Sequence, residues 1–135
     1  MKDLQTQLAD FRKEFLTLVS PETASIMGTA ILNQKLNRGF NGILGLGAIV
    51  QDFELVDIHG MNLKLSLLLQ TGPVVLSFYR GGWCPYCNLE LQAYERELTE
   101  LKELGATLLA LSPELPDEAS KTVESNRLSF SVATD

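Results

Sequence analysis

Apolar residues recur over the first eighteen positions at intervals of four and three: Leu4, Leu8, Phe11, Phe15 and Leu18. Asp10, Arg12, Lys13 and Glu14 fall largely on the other side. That is the helical period, so the spacing predicts an amphipathic helix over 4–18. Ser20-Pro21-Glu22 reads as a second start. Ser20 can cap, proline loses nothing at the first helical position, and Glu22 suits the positive end of the helix dipole. This second helix is predicted to run to about Asn37 or Arg38 and to stop at Gly39. Gly42, Gly45 and Gly47 then punctuate a stretch that reads as a linker. Residues 1–47 therefore form a helical segment with its linker, and residues 48–135 a separate domain.

The pattern changes after the glycines. Asp52–Asp57 reads as a short strand, Ile58-His59-Gly60 as a turn, Met61–Leu65 as a return strand, and Ser66–Gln70 as a short helix. Val74–Tyr79 is almost continuously apolar, which predicts a strand covered on both faces. Leu91, Tyr94, Leu98 and Leu101 make a helical stripe that ends at Gly105. Behind it, Glu95 to Glu103 reads as a solvated face with Arg96 and Glu100 as an ion pair. Ala106–Leu111 is a second buried strand, Ser112–Pro116 a loop, Asp117–Asn126 a helix capped by Asp117, and Ser129–Val132 a last short strand. Strands alternating with helices predict parallel βαβ units, hence an α/β fold.

Composition narrows the function classes. The 135 residues suffice for one domain with a real core. A net charge of −6 argues against a nucleic-acid footprint, which needs clustered cations. The longest apolar run, 42–50, is far short of the ~20 residues that span a bilayer, so no membrane attachment is expected. The N-terminal stretch interleaves charged and apolar residues and lacks the apolar core of a secretory signal, so the expected location is cytoplasmic. In a reducing compartment two closely spaced cysteines point to catalysis or metal binding rather than to a structural staple.

Those cysteines are Cys84 and Cys87, in Arg80-Gly81-Gly82-Trp83-Cys84-Pro85-Tyr86-Cys87, where a predicted strand hands over to a helix. Ligand sites in open α/β sheets form at such carboxyl ends of strands. Cys84 falls at the helix cap with Pro85 at the first helical position. A thiolate there meets unpaired backbone N–H groups and the positive end of the dipole, which makes Cys84 the candidate nucleophile. A turn through Gly81 and Gly82 could carry the Arg80 charge to the same sulfur. Cys87 lies one helical turn on, within the ~4.4–6.8 Å Cα separation of a disulfide, and on the apolar face of Leu91. It is expected to be buried and Cys84 exposed. Trp83 reads either as an apolar lid over the site or as a wall of the core. Cys87 also sits where an unreactive core thiol would sit. A zinc site needs four ligands, and the chain offers two cysteines and the lone His59. His59 reads as a solvated turn residue, which leaves Cys84 without a histidine base. No cofactor or metal is called for.

The phrase Trp83-Cys84-Pro85-Tyr86-Cys87 at a strand-to-helix junction resembles the active site of the thioredoxin superfamily. Asp52-Phe53-Glu54-Leu55, then Gly72-Pro73-Val74 running through to Cys87, then Leu111-Ser112-Pro113, resembles more narrowly the alkyl hydroperoxide reductase/thiol-specific antioxidant (AhpC/TSA), or peroxiredoxin-like, family over residues 48–135. The resemblance implies a thioredoxin-like fold and thiol-dependent reduction of hydroperoxides. Cys84 would be the peroxidatic cysteine, Cys84-Pro85 its Cys-Pro step, and Cys87 the resolving thiol. It also implies a reductant of thioredoxin, glutaredoxin or glutathione type. The sequence departs from the family where peroxiredoxins keep a threonine three residues before the cysteine, because that position is Gly81. This favours an alternative activity, thiol–disulfide exchange through the same two residues. The family also continues past the point matching Asp135 with a helix, a hairpin carrying a cis-proline, and a last helix. Without that hairpin, strand 74–79 is expected to show an open edge and an uncovered face, and the chain to form a homo-oligomer. On a further reading the chain is a redox-sensing or interaction module that binds a partner through helices 4–18 and 21–38.

Overall fold

A computed structural model of the chain describes residues 2–36 and 43–134. The chain divides into two compact units, Met1–Gln51 and Asp52–Asp135. The first contains α1 (Leu4–Leu18) and α2 (Pro21–Leu36). Each helix starts on a side-chain cap: Asp3 Oδ1 accepts from the Thr6 N–H at 2.8 Å, and Ser20 Oγ accepts from the Thr23 N–H at 3.1 Å. Leu4, Leu8, Phe11 and Phe15 are half-buried, with the Phe11 and Phe15 rings stacked at 6.4 Å, but Leu18 points out to solvent. Neither helix buries a residue fully. The predicted end of α2 and the first part of the linker lie outside the described residues. No described helix is long and apolar enough to cross a membrane.

The second unit opens with an antiparallel hairpin of β1 (Glu54–Val56) and β2 (Asn62–Lys64). Its turn is closed by Asp57, whose carboxylate accepts from the N–H groups of His59 and Met61 at 2.9 and 2.8 Å. His59 stands exposed on that turn, as its sequence context predicts. Next come α3 (Leu65–Leu68), β3 (Val74–Phe78), α4 (Pro85–Glu103), β4 (Thr107–Ser112), α5 (Pro116–Asn126) and β5 (Ser131–Thr134). β3, β4 and β5 form a parallel sheet in that order, with Leu76 opposite Leu109 and Leu111 opposite Ala133. The anticipated α/β alternation is present.

β4 lies in the middle of the sheet, and its side chains alternate between two apolar clusters. Leu108 and Ala110 join Tyr79, Leu91, Leu98, Ala119 and Val132 on the side of α4 and α5. Leu109 and Leu111 join Leu63 and Ala133 on the other side, under Phe53 and Leu55 of the hairpin segment. Both cysteines belong to the first cluster.

Several expectations are corrected. The apolar run of β3 does not make it a central strand covered on both faces: it is an edge strand with one open face, in line with the open edge and uncovered face expected from the family resemblance. Ser77 is buried toward the helices, whereas Phe78, pointing the other way, is 72% exposed. The reason is placement: the hairpin meets the sheet at β5, through the Asp57–Ala133 bridge, and so covers the far end of the sheet from β3. The second edge of β3 has no strand partner among the described residues. α5 begins at Pro116 with Leu115 at its cap, so Asp117 lies within the first turn and caps nothing. Arg96 and Glu100 form no ion pair, and neighbouring Glu95 is not a mere surface charge. Its carboxylate accepts from the Ser129 N–H and hydroxyl at 2.7 and 2.6 Å. That contact takes the N–H that Ser129 would offer to a strand ladder, so β5 starts at Ser131. At the end of α4, Gly105 adopts φ 73° and donates to Lys102 O, while Ala106 donates to Leu101 O, the paired bonds of a glycine-terminated helix.

Candidate active site

The segment from β3 to α4 is held by backbone bonds. The Tyr79 N–H continues the ladder to Leu111 O at 2.9 Å. Gly81 has φ 135°, which few other residues adopt, and its carbonyl accepts from the Cys84 N–H at 3.1 Å to close a tight turn. Cys84 is the N-cap of α4, without a side-chain cap bond, and Pro85 occupies the first turn. These are the positions that the sequence predicts for both residues. Cys87, one turn later, faces the α4 core cluster.

Exposure does not separate the two thiols as expected. Cys84 is 3% exposed and Cys87 8%, and both are free. The reason lies in the turn: Trp83, not Cys84, points outward, at 64% exposure, so the sulfur before α4 is drawn inward. Trp83 is therefore no core wall. The Arg80 guanidinium lies 4.5 Å from the centre of the Trp83 ring. Arg80 reaches the cysteine pair through its backbone, whose N–H points at Cys87 Sγ at 3.5 Å.

Burial pushes the Cys87 thiol up from its ordinary value, and the adjacent Cys84 adds to this, against the Arg80 N–H, which favours the thiolate. The folded chain thus holds this proton more tightly than the unfolded chain. The stability contributed is present below about pH 8.5, where a free thiol titrates, and is lost as pH rises through the higher folded value. We expect Cys87 to resist alkylation at neutral pH and urea midpoints to fall above about pH 8.5. Midpoints measured with the parent and Cys87→Ser check this: equal pH dependence in the two would refute it.

The residues that pattern reading did not single out come from elsewhere in the chain. Glu114 Oε1 accepts from the Gly82 N–H at 2.9 Å, and Asn88 Nδ2 donates to the Gly82 carbonyl at 2.8 Å. Asn126 Nδ2 in turn donates to Asn88 Oδ1 at 3.1 Å, and Gln92 Nε2 to Asn126 Oδ1 at 2.9 Å. Gly82, Asn88, Glu114 and Asn126, with Trp83, Lys121 and Thr122, border a groove of about 430 Å³. The glycines make room for them. A Cβ on Gly82 would stand 2.1 Å from Thr122 Oγ1, and one on Gly81 would stand 2.6 Å from both Glu114 Oε1 and Trp83 Nε1. Tyr79 lies behind the turn, buried, with its hydroxyl beside Ser112 and Glu114 but with no well-formed hydrogen bond among the described residues. Burial pushes its phenol up. One general signal could have found Glu114: it follows the carboxyl end of β4, and loops at the ends of neighbouring parallel strands converge.

The model of the AhpC/TSA family matches residues 46–135. The chain belongs to the AhpC/TSA family. Among its relatives, peroxiredoxin Bcp of Escherichia coli is 28% identical over 92 residues, which are 68% of this chain and 58% of the relative. Thiol-disulfide oxidoreductase ResA of Halalkalibacterium halodurans is 32% identical over 85 residues, 62% of this chain and 47% of that protein. The crystal structure of peroxidoxin BcpB from Mycobacterium tuberculosis superimposes with a TM-score of 0.63 at 34% identity, covering 66% of this chain and 58% of that one. The AhpC/TSA chain thus spans less than two thirds of these relatives' length. Its fold is thioredoxin-like, with two helices ahead of it.

Proposed function

We propose that this AhpC/TSA chain is a thiol-dependent antioxidant oxidoreductase that reduces hydroperoxides, with Cys84 as the attacking sulfur and Cys87 as the resolving thiol. The observation that carries this reading is the position of Cys84 at the open N-terminus of α4, one turn from Cys87. Backbone N–H groups there favour a sulfur anion. The Cys84 thiolate attacks one peroxide oxygen, the O–O bond breaks, and the other oxygen leaves as the alcohol after taking a proton. The sulfenic acid formed at Cys84 is attacked by Cys87, water leaves, and a Cys84–Cys87 disulfide results. A thioredoxin-, glutaredoxin- or glutathione-type thiol of the cytoplasm returns the two electrons. The open edge of β3 suits association of two copies into a homo-oligomer.

A second reading is thiol–disulfide exchange by the same pair. It is favoured by the crowding over Gly81, where the Glu114 carboxylate and the Trp83 indole take the place of any hydroxyl on that residue. Rapid mixing of the reduced chain with hydrogen peroxide, followed by tryptophan fluorescence, separates the two. We expect Cys84 to oxidise at least about a hundredfold faster than a free thiol, the scale on which an enzyme positions and activates a nucleophile. A rate equal to that of free cysteine, together with rapid reduction of a protein disulfide, would replace the first reading by the second.

A further inference from the structure

Both backbone polar groups of Gly82 are taken by side chains from other elements: its N–H by Glu114, from the loop after β4, and its C=O by Asn88 of α4. Gly82 lies inside the turn that Gly81 O and Cys84 N close, two residues before the sulfur. Asn88 sits on α4 itself and is braced by Asn126 of α5. Glu114 is the contact that ties the turn to the sheet end, and three further features surround it. Its own N–H approaches Ser112 Oγ at 3.4 Å, Thr122 Oγ1 stands 3.5 Å from Oε2, and glycine at 81 leaves room for Oε1.

We propose that Glu114 is a positioning residue of the thiol centre: by holding the Gly82 N–H it keeps the Gly81–Cys84 turn closed and presents the Cys84 sulfur to the open end of α4. It need not touch substrate. Cys84 makes no side-chain cap bond to α4, so its place at the N-cap, one turn from Cys87, depends on the backbone turn, and a turn free to open moves the sulfur out of that place. The inference rests on the reading of Cys84 as nucleophile, yet it can fail separately.

The test is the rate of Cys84 alkylation by iodoacetamide at fixed pH, in the full chain carrying Cys87→Ser so that one thiol reports. Thermal midpoints are measured alongside. Glu114→Ala is expected to slow the reaction about tenfold, the scale of one lost hydrogen bond to a charged acceptor. Glu114→Gln keeps an acceptor oxygen at the same reach and is expected to recover most of the rate. Glu114→Asp keeps the charge but is one methylene too short, and is expected to behave like the alanine variant. Should the alanine variant not fold, the Gln and Asp variants decide the matter between them. An unchanged or faster rate in Glu114→Ala, with or without a lower midpoint, overturns the proposal, as does recovery by Asp and not by Gln. If the parent Cys84 reacts no faster than free cysteine, the nucleophile reading fails. Slowing on loss of Glu114 would still support the positioning role.

Discussion

Replacing Cys84 by serine is expected to abolish turnover, with peroxide or with a disulfide substrate, by at least about a thousandfold. Serine keeps the shape of the N-cap and could even cap α4 better, so the fold is expected to persist while the chemistry stops. Cys87→Ser should behave differently. It retains the first oxidation of Cys84 and loses resolution, so a sulfenic acid accumulates after one turnover and can be trapped with dimedone. The measurement is steady-state consumption of substrate coupled to a thiol reductant, with mass spectrometry of both variants. Residual turnover in Cys84→Ser above a few per cent of the parent would remove Cys84 from the nucleophile's role. Absence of turnover in the parent itself would leave the non-catalytic module reading, in which biological activity survives Cys84→Ser and is lost on polar substitution of Phe11 and Phe15.

The second large effect concerns the core beneath the site. Leu91 is 1% exposed and shares one cluster with Cys84, Cys87, Leu108 and Val132. It lies one turn past Cys87, between α4 and the sheet. Leu91→Ala removes three buried carbons and leaves a void that strands and helix cannot both collapse into, so a loss of about 3–4 kcal/mol is expected. For a unit of this size that is a large share of the total stability. Urea denaturation followed by far-ultraviolet circular dichroism gives the number. A loss below about 1 kcal/mol would mean that α4 relaxes onto the sheet far more freely than its packing implies. Because the void opens under Cys87, the same variant should let Cys87 alkylate at neutral pH, where the parent resists.

Much of this arrangement is legible in the order of residues alone. The stripe Leu91, Tyr94, Leu98 and Leu101, Pro85 at its head and Gly105 at its foot define α4 almost to the residue, because capping and period are local properties. The same holds for Cys84 at the cap and Cys87 one turn on, and for His59 on a solvated turn. The exposures of Cys84 and Trp83 were not legible. Which of two consecutive residues turns inward depends on the Gly81–Cys84 bond and on how Gly82 is held by Glu114 and Asn88. Nor does an apolar strand announce whether it is central. Val74–Phe78 has the composition of a covered strand, yet Phe78 faces solvent because the hairpin docks at β5.

Sequence alone determined which residues could carry the chemistry and on which element each stands, since hydrophobic period, caps and the Cys-Pro-Tyr-Cys spacing act over a few residues of chain. Tertiary structure decided what surrounds them: strand order, the inward turn of Cys84, the pairing of Arg80 with Trp83, and the arrival of Glu114 at Gly82. These are contacts between segments some thirty residues apart, or choices among faces that local pattern leaves equal. They are fixed only when the ends of parallel strands bring their loops together.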